Sequence, residues 1–355
     1  MEVNRLYNMA ESQKFRASAA ANQQIRVTLM EEAQKEMNLV AGLRGVLEHS
    51  MVKNKEAAIN AMYTLTTDCH SACENMLLDG GLEVMKETIR ERMQTDHTSR
   101  EGIVEIESAT GIIENVCRSF FQPGVMKETS LIPQNSVGSA SAAAAARGTQ
   151  EHTISSDQLQ TLRNEVDKND LPGLLLGLLR PEIDLRIQSR AAAALWAIVD
   201  SNNSQYTARI LASGGLPMIM KILQYGEQAE MEAREQIVGL LSSMLKENEE
   251  CAKAAQRLGA VARLMHLMNL GDDGLGAFST QELAASGLVE MLETSEDCRT
   301  EARRSGIRQM IKALTESPLL NSPDDLERKQ AQSSKNVAQK LLRLVNLPPH
   351  RGERG

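Results

Sequence analysis

Apolar residues recur at helical spacing through most of the chain. Between Ile187 and Ser201 they fall at Ala191, Ala194, Leu195, Ile198 and Val199, one stripe of a helix. Leu216, Ile219, Met220 and Leu223 make a second stripe, and Val337, Leu341, Leu342 and Val345 a third. Near the start, Ile25, Leu29, Ala33 and Met37 follow the same i, i+4 rule. No comparable stretch alternates with a period of two. The pattern predicts an all-α protein built of many short amphipathic helices.

These helices recur as a unit. Lys55–Leu82 (KEAAINAMYTLTTDCHSACENMLLDGGL) aligns without a gap on Ser189–Leu216 (SRAAAALWAIVDSNNSQYTARILASGGL). Gly80-Gly81-Leu82 and Gly214-Gly215-Leu216 coincide, as do Ala57/Ala191, Ala58/Ala192 and Leu77/Leu211. Gly214 is followed by Gly259 at an offset of 45, and Gly259 by Ser305-Gly306 at 46. Asp170-Leu171-Pro172 matches Gly215-Leu216-Pro217 at 45, and VMKET occurs at Val84–Thr88 and again at Val125–Thr129. The step from Gly80 to Gly214 is therefore three units of about 45 residues each, the period of helical repeat arrays.

Each unit reads as three helices. The first is short (Gln205–Ala212). A glycine then turns the chain, because glycine takes a left-handed backbone at little cost. A second helix follows (Leu216–Gln224), then a polar turn and a long third helix (Ile187–Ser201). A single unit cannot bury its stripes, whereas stacked units can.

The segments ILASGGLPMIMKIL (Ile210–Leu223) and SRAAAALWAIVDSN (Ser189–Asn202) resemble the second-to-third helix region of the armadillo-repeat family. The resemblance covers roughly Met37–Phe121 and Leu159–Val345. It implies a right-handed superhelical solenoid of armadillo-like three-helix repeats, an alpha-alpha superhelix. HEAT repeats are the nearest rival, but they lack the short helix before the glycine. The resemblance further implies a protein that binds a partner's segment along a groove lined by third helices. The partner-binding residues it points to are Arg190, Trp196, Asp200, Arg234, Gln236 and Leu241.

The nuclear-import adaptors of this family carry repeated Trp/Asn pairs that hold basic peptides. Here the pair reads Trp196/Asp200. The gap-free alignment puts Met62 and Leu241 opposite Trp196, and Thr66 and Leu245 opposite Asp200, so no ladder of such clamps is expected. A scaffold or adaptor is the leading expectation. An armadillo-type nucleotide exchange cofactor of a heat-shock chaperone is the second.

Interruptions of the pattern divide the chain. Residues 1–121 are expected to hold an N-terminal cap and the first repeats. Gln122–Ser155 contains Pro123, Pro133 and the Ser/Gly/Ala-rich run Ser136–Ala146, a composition that offsets little ordering entropy, and is expected to be a disordered linker or insertion. Residues 156–346 are expected to carry further repeats and a C-terminal capping helix that opens at Ser322-Pro323. The tail, residues 347–355, is expected to be flexible.

Composition narrows the chemistry. Aromatics are 3% of the chain and net charge is −8. Residues 225–300 concentrate the acid, and the chain beyond Leu319 is basic. An acidic chain is a poor match for nucleic acid, which needs a basic face. No GxSxG, P-loop or HExxH signature occurs. Gly271–Gly276 (GDDGLG) reads as a turn between helices, and His266 as a packed or partly exposed histidine. Cys69-His70-x-x-Cys73 offers half the donors of a zinc site without the second pair, and reads as ordinary helix-end residues. The 18 methionines fit adaptable core filling.

The expectation is therefore a protein partner, with no catalysis, cofactor, metal, small-molecule substrate, nucleic acid or membrane insertion. Five widely spaced cysteines and the lack of an apolar secretory core point to a cytoplasmic protein, with the nucleus as an alternative. Arg5, Lys14, Arg16 and Arg26 among Ser and Ala give the N-terminus some likeness to a transit peptide, which Glu2 and Glu11 oppose.

Overall fold

The computed structural model describes residues 52–122, 154–225, 231–269, 275–316 and 325–347, with Gly42, Gly45 and Leu47 besides. The expected N-terminal cap, the segment 123–153 with the second VMKET, Gly271–Gly274, Ser322-Pro323 and the last residues lie outside the described residues. All the described elements are α-helices. They group into two compact units, residues 1–171 and 172–355.

Unit 1 holds α1 (Val52–Asp68), α2 (His70–Leu78), α3 (Gly81–Thr95), α4 (Arg100–Phe121) and α5 (Ser156–Lys168). Helix α6 (Leu171–Gly177) begins at the boundary. Unit 2 continues with α7 (Leu185–Ser201), α8 (Asn203–Ala212), α9 (Gly215–Tyr225) and α10 (Met231–Leu245). It ends with α11 (Glu249–Arg257), α12 (Ala260–Asn269), α13 (Leu275–Thr294), α14 (Glu296–Arg304), α15 (Ile307–Thr315) and α16 (Asp325–Asn346).

The three-helix unit is present as expected: short α2, α8, α11 and α14 are first helices, α3, α9, α12 and α15 second, and α4, α7, α10, α13 and α16 third. Third and first helices meet across one or a few residues. Cys69, Asn202 and Ser295 alone separate α1 from α2, α7 from α8 and α13 from α14. Polar residues end several of those third helices and start the first ones. The Asn248 side chain accepts from Cys251 N at 2.9 Å, and Ser295 from Cys298 N at 3.4 Å. Ser155 and Gln158 close a reciprocal capping box at the head of α5.

The turn glycines divide two tasks. Gly80, Gly214, Gly259 and Gly306 all have positive φ, 70 to 82°, between first and second helices. Where a second glycine follows, it makes room instead. A Cβ on Gly215 would lie 2.7 Å from Leu176 Cδ2 and 2.8 Å from Ile210 Cγ2. In the repeat that contains α5, Asp170 occupies the left-handed position at φ 46°. It is thus Asp170 that stands in the place of Gly214, one residue off the sequence alignment. An Asp170→Gly variant is expected to gain about 1 kcal/mol, since a left-handed backbone costs a non-glycine residue about that much. Chemical denaturation measures it; an unchanged or lower midpoint would show that the aspartate's side chain compensates.

Helix α5 packs on α2 and α4, and Gln158 Nε2 donates to Glu74 Oε1 at 2.8 Å. The Ser156 helix therefore belongs with the first unit rather than opening the second. Its apolar Leu162 and Val166 are fully buried there. The unit 2 core holds Ile187, Leu195, Ile198, Ile219, Val238, Leu264 and Leu288, all fully buried. Met220, Met244, Met265, Met268 and Met310 are buried as core filling, and Met218 is partly exposed.

Candidate partner-binding groove

Side chains three and seven positions apart share a helix face. In unit 1 that stripe on α1 is Asn60, Tyr63 and Thr67, and it meets Ser108, Gly111 and Asn115 on α4. Ser108 Oγ donates to Asn60 Oδ1 at 2.6 Å. Gly111 lies against the Tyr63 ring so closely that a Cβ would collide with it. Asn115 Nδ2 donates to the hydroxyls of Thr66 and Thr67, each at 3.1 Å.

Unit 2 repeats this with facing residues 43 apart in sequence. The stripe on α7 is Ala193, Trp196 and Asp200, and on α10 it is Gln236, Gly239 and Ser243. Gly239 lies flat against the indole: a Cβ there would sit 2.5 Å from Trp196 Cζ3 and 2.6 Å from Cε3. Ser243 Oγ donates to Asp200 Oδ1 at 2.5 Å. The next pair of third helices, α10 and α13, also meets at a glycine, Gly287, against Ser242 and Leu245. Glu247 N donates there to Glu290 Oε2 at 3.3 Å.

The six expected site residues fall as follows. Trp196 is half-buried and Asp200 exposed on α7; they share a face with each other and with the Gly239–Ser243 edge of α10. Arg190 and Arg234 are partly exposed, each engaged in an interaction of its own. Gln236 is buried at 6% exposure, and its Oε1 has no hydrogen-bond partner. Leu241 has no accessible surface. It faces the core, because the offset of 45 counted between glycine turns overshoots the facing register of 43 by two positions, more than half a helical turn.

The same geometry corrects the counterparts of the Trp/Asp pair. They are Tyr63 and Thr67, not Met62 and Thr66, both of which are buried. An aromatic residue with a polar one four positions on therefore occurs in both units. Sequence reasoning missed the two glycines that receive the rings; a glycine inside an apolar helical run was the available signal.

Other candidate chemistry is absorbed by packing. His70 Nδ1 meets Ser119 Oγ at 2.5 Å and its ring packs on Phe120 with centroids 4.9 Å apart. Cys73 Sγ donates to Thr66 O at 3.3 Å, and burial pushes its thiol up to about 12. Burial likewise raises Cys117 strongly, and Cys251 to about 12. A metal is held by thiolate, and buried apolar surroundings oppose that form. Among the described residues, no three His, Cys, Asp or Glu side chains converge. None of the described helices is long and apolar enough to cross a membrane.

Third helices stacked rung against rung, left-handed turns before each second helix and short returns to the first define an all-α solenoid of armadillo-like repeats. No family model matches the chain, and no curated protein does. Among solved structures, an engineered protein aligns over 85% of this chain and 97% of its own, at 19% identity and a TM-score of 0.56. A designed armadillo repeat protein aligns over 84% and 98%, at 15% identity and 0.55. A designed armadillo repeat protein in complex with the peptide (KR)4 aligns over 84% and 98%, at 14% identity and 0.53. At these identities the likeness is one of fold.

Proposed function

We propose that this chain is a non-catalytic adaptor that holds a segment of a partner protein against the third helices of unit 2. The observation that carries this reading is Trp196, a large amphipathic side chain kept half-exposed on a flat glycine bed beside an exposed carboxylate. Such rigid aromatic surfaces are where binding energy concentrates in interfaces. Arg190, Asp200, Arg234 and Gln236 complete the proposed contact surface, with Leu241 supporting it from the core. A designed armadillo repeat protein of similar fold is in complex with a peptide, which supports peptide binding as the use of the fold here. The five cysteines form no disulfide, which fits work in a reducing compartment.

The test is proximity labelling and affinity capture with the whole chain, repeated with Trp196→Ala and Asp200→Lys. Asp200→Lys changes an exposed side chain and Trp196→Ala a half-buried one, and circular dichroism checks that both variants stay helical. Capture of the partners specific to the wild-type chain is expected to fall at least about tenfold, the effect of losing an interface anchor. Undiminished capture by both variants would remove the groove reading.

A further inference from the structure

The last repeat is charged unlike the rest of the chain. From Arg303 to Gly355 there are 11 Lys and Arg against 5 Asp and Glu, whereas the whole chain has 39 against 47. The fold gathers part of this excess at one place. Arg303 Nε donates to Val345 O at 2.8 Å and its Nη2 to Leu347 O at 2.9 Å, and Arg308 Nη2 donates to Asn346 Oδ1 at 3.0 Å. The end of α16 is thereby fixed against the end of α14 and the start of α15. Helix α15 packs along α16, so the two run antiparallel, and one turn further along α15 Lys312 comes level with Leu342.

Arg304, Arg308, Lys312 and Arg343 are exposed in this region and Lys335 partly so. None of the five forms an ion pair among the described residues, although neighbouring cations do: Lys340 pairs with Glu293, and Arg299 and Arg303 with Glu296. The acids beside them are Glu316, one turn beyond Lys312, and Glu301, which accepts from Gln256 Nε2 at 3.2 Å. Among the described residues three large apolar side chains are exposed, and two of them, Leu342 at 39% and Leu347 at 46%, flank Arg343. A helix that caps a repeat array needs a polar outer face. It needs neither a single sign of charge nor leucines.

We infer that this end of α16, with the start of α15, is a docking surface for an anionic lipid bilayer, on which the chain rests without crossing it. Cations around exposed leucines match a surface that is anionic at its edge and apolar just beneath. Nucleic acid supplies the charge but no place for the leucines, and from Arg303 onward the chain has no Phe, Tyr or Trp to stack on bases. Acids elsewhere in the chain oppose the attraction weakly, because salt screens charges over about 8–10 Å at physiological strength. None of these residues belongs to the proposed groove, and lipid docking stands or falls apart from it.

The whole protein is floated with phosphatidylcholine vesicles made with and without phosphatidylserine. It is expected to float with the phosphatidylserine vesicles alone, and less as salt rises. Each basic residue lost near an anionic bilayer weakens partition about fivefold, so Lys312→Gln with Arg343→Gln is expected to weaken it roughly thirtyfold. Both side chains are exposed and unpaired, and an unchanged denaturation midpoint checks the fold of the double variant. The five native cysteines are all buried, so a polarity-sensitive label reaches an introduced one alone. At Leu347→Cys its emission is expected to shift to the blue on phosphatidylserine vesicles. At Leu78→Cys, exposed in unit 1, it is expected to stay where it is.

Equal flotation with both vesicles, an unmoved label at position 347, or undiminished binding by the double variant overturns the lipid assignment. So does a label there that answers octaglutamate or duplex DNA while vesicles leave it unmoved; the patch then takes an acidic polymer. Concentration-dependent dimerisation that the double variant abolishes, without vesicle binding, assigns the patch to a second copy of the chain instead.

Discussion

An Arg92→Ala variant is expected to destabilise unit 1 by about 3–5 kcal/mol, the cost of leaving a buried charge without its partner. Arg92 on α3 holds Glu105 on α4 by two parallel bonds, Nε to Oε2 at 2.5 Å and Nη2 to Oε1 at 2.7 Å. Glu105 has 2% of its side chain exposed, against 16% for Arg92. The hydrogen bond to Glu105 raises the arginine's pKa above its already high ordinary value, so Arg92 stays charged over the working pH range. Removing the arginine strands the carboxylate where water cannot reach it. Removing the carboxylate strands a guanidinium that can still turn toward solvent. Glu105→Ala is therefore expected to cost less than Arg92→Ala. Urea denaturation of both measures the asymmetry; equal losses would mean that burial of the two partners is not what sets the cost.

The second prediction is a reversal of sign. Glycine inside a helix costs about 1 kcal/mol relative to alanine, so Gly239→Ala ought to stabilise α10 by that amount on propensity alone. The Trp196 ring forbids it. A Cβ would fall 2.5 to 2.7 Å from three ring carbons, and overpacking of this kind costs about 1–3 kcal/mol. The expected net result in the wild-type chain is a loss of up to about 2 kcal/mol in place of the gain, with Trp196 emission shifted to the red as the indole is pushed into water. In a Trp196→Ala background the same substitution is expected to gain about 1 kcal/mol. The coupling in that double-mutant cycle, about 1–3 kcal/mol, measures the ring-on-glycine contact. Additive effects would mean that the ring is held by other neighbours.

Much of this architecture was legible because its signals are local. The Gly80-Gly81 and Gly214-Gly215 pairs announced the turns, and the Ala191–Val199 stripe announced a third helix packed closely on its neighbours. Trp196 and Asp200 were legible as a pair because four positions make about one helical turn. The facing register was not legible. The interval from Tyr63 to Gly80 is one position shorter than that from Trp196 to Gly214, so an alignment anchored on the glycines slips at the aromatic ring. That slip put Met62 where Tyr63 belongs. A similar miscount between successive repeats put Leu241 in the groove. The Arg92–Glu105 pair was invisible for another reason: its partners lie on different helices, and no periodic rule connects them. Asp170 hid the turn it makes, because an aspartate seldom takes the left-handed backbone that a glycine advertises.

The two units differ in how much chain separates their facing rungs. Ser108 faces Asn60 across an interval of 48, whereas Ser243 faces Asp200 across 43. The stripes match rung for rung in spite of the difference. The stretch from Gly80 to Gly111 is correspondingly longer than that from Gly214 to Gly239. The extra length is therefore taken up between the left-handed turn and the flat glycine, where α3 runs to 15 residues and α9 to 11. Insertions and deletions in that interval leave the third helices in step, while a single residue gained or lost within a stripe would rotate its rungs out of line. Between these two repeats, therefore, most of the length difference falls between turn and glycine, while the stripes keep their own spacing. Loops or tags for engineering, and natural length variants alike, are best tolerated between turn and glycine.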